Sequence, residues 1–118
     1  MTKEEKRFKL FKETCRHWQE KLGLIEYELN FDHTKLDGNR AEIDINQLGK
    51  CVTVTLNNKL QKGDDLDVRH LARHEMFHLL ICRLTWLGRS RCIMIEDIIE
   101  ADETIVKKLD HLFGDDYD

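Results

Sequence analysis

Five consecutive residues, His74-Glu75-Met76-Phe77-His78, set two imidazoles four positions apart with a carboxylate beside the first. On an α-helix, positions i and i+4 project from one face a single turn apart. Two imidazole nitrogens can then reach one metal ion at about 2.0–2.1 Å. Glu75 is rotated off the histidine face, yet its side chain is long enough to approach a water on that metal and act as general base. The pattern points to metal-assisted hydrolysis, with zinc as the metal. The chain's own His and Glu frequencies give the bare pattern a chance of roughly 3%, so its surroundings must add to it. Leu71, Met76, Phe77, Leu79, Leu80, Ile81 and Leu84 make the segment apolar on most faces of a helix. Such a helix is expected to be buried, and burying two histidines and a glutamate is costly unless a partner such as a metal satisfies them.

A catalytic zinc site uses three protein ligands and one open position. Downstream candidates for the third are Glu96, Asp97, Glu100, Asp102, Glu103 and His111. At 100° per residue, Asp102 falls in the centre of an apolar stripe, Glu103 toward its edge and Glu100 further off. A glutamate at the edge could reach a metal between two packed helices, with Asp102 orienting an imidazole N–H. His70 extends the row His70, His74, His78, but that row spans about 12 Å, so His70 is expected to be a neighbour of the site or surface. Arg83, Arg89 and Arg91 could grip an acidic substrate, but are expected instead to line a solvated turn beside a helix C-terminus. Tyr27, Tyr117, Arg83 and His70 are the candidates for stabilising an oxyanion.

The elements that must position these groups follow from periodicity. Residues 3–22 read as an amphipathic helix, with Thr2-x-x-Glu5 as a capping box and Gly23 at the position after the last turn. Phe8, Phe11, Cys15, Trp18 and Leu22 form its buried stripe. Ile25, Tyr27, Leu29 and Phe31 alternate with polar residues and predict a strand, as do Ala41, Ile43 and Ile45, and then Val52, Val54 and Leu56. The three make a small, mainly antiparallel or mixed sheet. Asp64, Asp65 and Asp67 offer an N-cap for the HExxH helix, which is expected to run to about Leu87 and end at Gly88. A last helix covers roughly 93–113, with Ile95, Ile98, Ile99, Ile105, Val106, Leu109, Leu112 and Phe113 on one side. The fold class is α+β, in the order α-β-β-β-α-α.

The chain has 118 residues, which matches one domain spanning 1–118. With 19 Lys and Arg against 23 Asp and Glu, the net charge of −4 argues against a nucleic-acid coat. Hydrophobic residues make up 41%, enough for a core and too many for a disordered chain. No apolar run is long enough to span a membrane, and the charged N-terminus lacks a secretory h-region. A soluble, cytoplasmic domain, monomeric or a small oligomer, is expected. Cys15, Cys51, Cys82 and Cys92 form no close pair and read as reduced thiols, mostly small core residues.

The order of helix, short sheet, HExxH helix and acidic helix resembles a minimal zincin metallopeptidase of the gluzincin type. Trp18, Leu22-Gly23-Leu24 and the strands at 25–31 and 52–56 ahead of HExxH are similar to small phage-type metallopeptidases. The resemblance covers about residues 15–113, and HExxH is its only specific motif. It implies a zincin-like fold and hydrolysis of peptide bonds with one Zn²⁺ per chain. By resemblance, the ligands are His74, His78 and a glutamate on the later helix. Glu103-Thr104-Ile105-Val106-Lys107-Lys108-Leu109 matches the family's third-ligand pattern, with Lys107 where asparagine is usual. The resemblance also makes Cys51–Leu56 a candidate for pairing with extended substrate. The small size points to a narrow range of peptide or protein substrates. A metal-stabilised binding or regulatory module without proteolysis is the alternative.

Overall fold

The computed structural model describes residues 1–60 and 67–113; Asp64, Asp65 and Tyr117, named above, lie outside them. Six elements follow in the expected order: α1 (Lys3–Lys21), β1 (Glu28–Thr34), β2 (Ala41–Asn46), β3 (Cys51–Asn57), α2 (Val68–Arg89) and α3 (Ile95–Phe113). The architecture is α+β, with three helices and a three-stranded mixed sheet among the described residues.

Both ends of α1 are held as its sequence requires. Thr2 Oγ1 accepts the Glu5 N–H at 3.1 Å. At the other end Gly23 takes φ +68°, and the Leu24 and Gly23 N–H groups donate to the Gln19 and Glu20 carbonyls at 2.8 and 3.1 Å. That is a Schellman stop, and only glycine enters its left-handed turn without strain. The Gln19 amide then donates to the carbonyls of Leu24 and Tyr27 at 3.1 and 2.7 Å. This keeps residues 24–27 out of the sheet. The first strand therefore begins at Glu28, and Ile25 stands 79% exposed ahead of it.

The strand order is β1-β3-β2, with β1 parallel and β2 antiparallel to β3. β3 is the most β-branched of the three and the most buried, which suits the centre. Both of its edges are taken. The expected pairing of substrate along Cys51–Leu56 is thereby ruled out, and the free edges belong to β1 and β2. On the inner face, Leu29, Phe31, Ile43, Ile45, Val52, Val54 and Leu56 meet Phe11, Cys15, Ala72, Met76 and Leu79 in one core. The outer face carries polar side chains.

α2 is capped by Asp67, whose Oδ1 accepts the Arg69 N–H at 3.0 Å. It runs through Gly88 to Arg89 and packs against α1, β2 and α3. It is not buried all round, because Phe77, Ile81 and Trp86 are exposed. α3 also uses less of its apolar surface than expected. Ala101 alone is fully buried, Ile105 and Leu112 pack partly on the core, and Ile95, Ile98, Ile99, Val106, Leu109 and Phe113 stay exposed. The helix leans on one edge of its stripe, held there by Lys108 Nζ donating to the Gly23 carbonyl at 2.6 Å and by an Arg83–Glu100 ion pair.

Candidate functional site

His74, Glu75 and His78 lie in the second turn and beyond of α2, where the run of Leu, Met and Ala around them sustains the helix. The two imidazoles converge, with Nε2 of His74 3.2 Å from Nε2 of His78 and ring centroids 4.9 Å apart. Two nitrogens each 2.0–2.1 Å from one tetrahedral ion stand about 3.3–3.4 Å apart. The same separation is a hydrogen bond when one ring carries its Nε2 proton and the other does not. Both histidines are exposed, so the burial argument from sequence applies to Glu75 alone, which is 7% exposed. Desolvation pushes the Glu75 carboxyl above the usual range; His78 and His74 pull it back, and the nearby Glu42 carboxylate pushes it further up.

These three residues line one wall of a cleft of about 630 Å³. Ala41–Ile45 of β2, with Asn39 before it and Gln47 after it, line the facing wall, and Cys82, Thr85, Trp86 and Arg89 continue the α2 side. Beneath the cleft a buried cluster ties sheet to helix. Gln47 Oε1 accepts from the Tyr27 hydroxyl at 3.3 Å and from the Cys82 thiol at 3.2 Å, while Tyr27 and Cys82 stand 3.4 Å apart. Burial, together with the hydrogen bond to Cys82, pushes the Tyr27 hydroxyl upward. Cys82, read from the sequence only as a core thiol, stands one turn beyond His78 on the cleft side of α2. Gln47 and Glu42 carried no signal in the sequence, because their place in the cleft depends on how β2 lies along α2; Arg89, expected on a solvated turn, lines the cleft with them.

The structure does not bring Glu103 to the histidines. Arg83, which meets Glu100 of α3, is nine residues from His74, so α3 and the histidine pair sit on opposite sides of α2, roughly 180° apart. Glu103 is exposed, and two positions beyond the buried Ala101 turn it roughly 200° away from the body. Asp102, Glu96 and His111 are exposed as well. Among the described residues, no three His, Cys, Asp or Glu side chains gather to hold a metal ion. His70 is exposed and within 3.1 Å of Arg73, and it lines a separate groove between α1 and α2 with His17 and Glu13. Of the arginines, Arg83 is paired and Arg89 faces the cleft, whereas Arg91 is exposed. The cysteines divide evenly: Cys15 and Cys82 are buried, Cys51 and Cys92 exposed. No helix among the described residues is long and apolar enough to cross a membrane. Comparison with protein-family models, curated proteins and solved structures gives no match to this chain.

Proposed function

We infer that the protein is a zinc-dependent peptidase with a zincin-like fold, acting in the cleft between α2 and β2. The observation that carries this reading is the 3.2 Å convergence of the His74 and His78 nitrogens beside the buried Glu75. That spacing suits a shared tetrahedral ion, and the nitrogens are the donors zinc prefers. A bound zinc ion would supply Lewis-acid polarisation of a peptide carbonyl and acidify a water beside it.

The chain's own residues do the rest. His74 and His78 would hold the ion from one helix face. Glu75, one residue on, takes the proton of the attacking water and delivers it to the leaving amine. The free edge of β2 borders the same cleft, so an extended peptide can add to it as a fourth strand and lie across the histidines. Glu103 is left out of the ligand set, since α3 lies on the other side of α2.

The second reading is a binding or regulatory module without proteolysis, since a catalytic zinc site takes three protein ligands and among the described residues the histidine pair stands without a third gathered side chain. A Glu75→Gln substitution separates the two. In the peptidase, zinc-loaded wild type cleaves members of a peptide library and Glu75→Gln binds zinc but cleaves none. If both proteins bind zinc and neither cleaves, or both cleave alike, the peptidase reading is wrong.

A further inference from the structure

A strand added to the edge of β2 continues its pleat, so its side chains must share the two faces that β2 already presents. Ile43 is partly buried on the inner face and looks toward α2, whereas Glu42 and Asp44 stand exposed on the outer face. Across the sheet Glu42 lies in register with Thr55 and Asp32, and Asp44 with Thr53 and Asn30. Asp32, Glu42, Ile43, Asp44, Thr53 and Thr55 line a hollow of about 490 Å³ on this outer face. The three strands together carry Glu28, Asp32, Glu42 and Asp44 and no lysine or arginine. Acidic groups on an edge also deter self-pairing: two copies meeting through β2 would bring Glu42 and Asp44 against one another.

We propose that the cleft selects an extended peptide carrying a basic–apolar–basic triplet. The two Lys or Arg residues lie opposite Glu42 and Asp44 over the outer hollow, and the apolar residue between them enters the cleft beside Ile43 and Trp86. This substrate class rests on the peptidase reading for its turnover, but its recognition stands on the β2 edge alone. Cross-strand neighbours come within about 4.5–5.5 Å of each other, so each basic residue meets its carboxylate directly.

The test uses two fluorescein-labelled nonapeptides, identical but for Lys-Leu-Lys or Glu-Leu-Glu at their centres, titrated against Glu75→Gln with and without zinc. Wild type is assayed for cleavage of the same pair. Two opposite-charge pairs replaced by like-charge pairs predict about a tenfold tighter Kd for the Lys-Leu-Lys peptide. The preference should shrink in high salt and reverse when Glu42→Lys and Asp44→Lys are added, both changes being on the surface. Equal affinity for the two peptides, no binding of either, or a preference that survives the double charge reversal overturns the proposal. If the preference holds and reverses but wild type cleaves neither peptide, the recognition stands and the peptidase reading falls. Cleavage of both peptides at equal rates and affinities does the opposite.

Discussion

Replacing Glu103 by alanine separates the geometry of this fold from the ligand set that family resemblance implies. The axes of packed helices lie about 8–10 Å apart, and Cα atoms ride about 2.3 Å from their own axis. Glu103, on the side of α3 turned away from α2, therefore has its Cα about 11 Å from the α2 axis. The histidines project from the opposite side of α2, so an ion shared between them would lie further away still. A glutamate side chain cannot bridge that span. Glu103→Ala should leave zinc affinity within about twofold of wild type. His78→Ala removes one of two converging nitrogens and should weaken zinc by more than the roughly 10–100-fold that loss of an outer-shell partner costs. Competition against a chromophoric chelator at fixed pH reads both constants, and circular dichroism checks that the variants fold. A loss of about 100-fold or more in Glu103→Ala, with the fold intact, would show that α3 reaches the histidine side and would refute this arrangement.

Other expectations follow from burial and hydrogen bonding. Met76 of α2 is fully buried in the core, so Met76→Ala should cost about 2–5 kcal/mol in urea denaturation. Tyr27→Phe removes a hydroxyl bonded to Gln47 and should cost about 1 kcal/mol, lowering Tm by about 4 °C for a chain of this size. Cys15 is fully buried and its thiol is pushed up to about 12, chiefly by desolvation and then by Glu75. In the native protein, brief alkylation read by mass spectrometry should mark Cys51 and Cys92 and spare Cys15. Because the fold favours the Cys15 thiol, its contribution to stability is complete below pH 9 and declines from there toward about 12, as the unfolded chain ionises first. Cys15→Ala should flatten that alkaline decline; an unchanged slope would contradict the assignment.

Local patterns in this sequence were readable because their causes are local. The i,i+4 histidines fix a shared helix face whatever surrounds them, and Thr2 and Gly23 mark the ends of α1 through bonds within a few residues. The three alternating segments predicted the strands, though Ile25 and Tyr27 fell outside because Gln19 binds the carbonyls of Leu24 and Tyr27. Strand order was not legible. β1 pairs with β3 across an intervening strand, and nothing in residues 28–34 or 51–57 announces a parallel partner. The side of α2 that α3 takes was equally hidden. It depends on contacts such as Lys108 with Gly23, 85 residues apart, and on Arg83 with Glu100. That placement leaves most of the apolar stripe of α3 exposed and puts Glu103 beyond the site. Glu42 and Asp44 looked like ordinary polar positions of an amphipathic strand until β2 proved to be the edge beside the histidines.

Whether His74 and His78 hold one metal ion decides between a peptidase and a chance pattern on a helix. Elemental analysis of protein purified without chelator, beside a His78→Ala control, measures it directly. Wild type should carry close to one zinc per chain, and the control should lose it. Folded wild type that takes up no zinc even after it is added back would contradict the account, and the 3.2 Å contact between the two imidazoles would then be a hydrogen bond and nothing more.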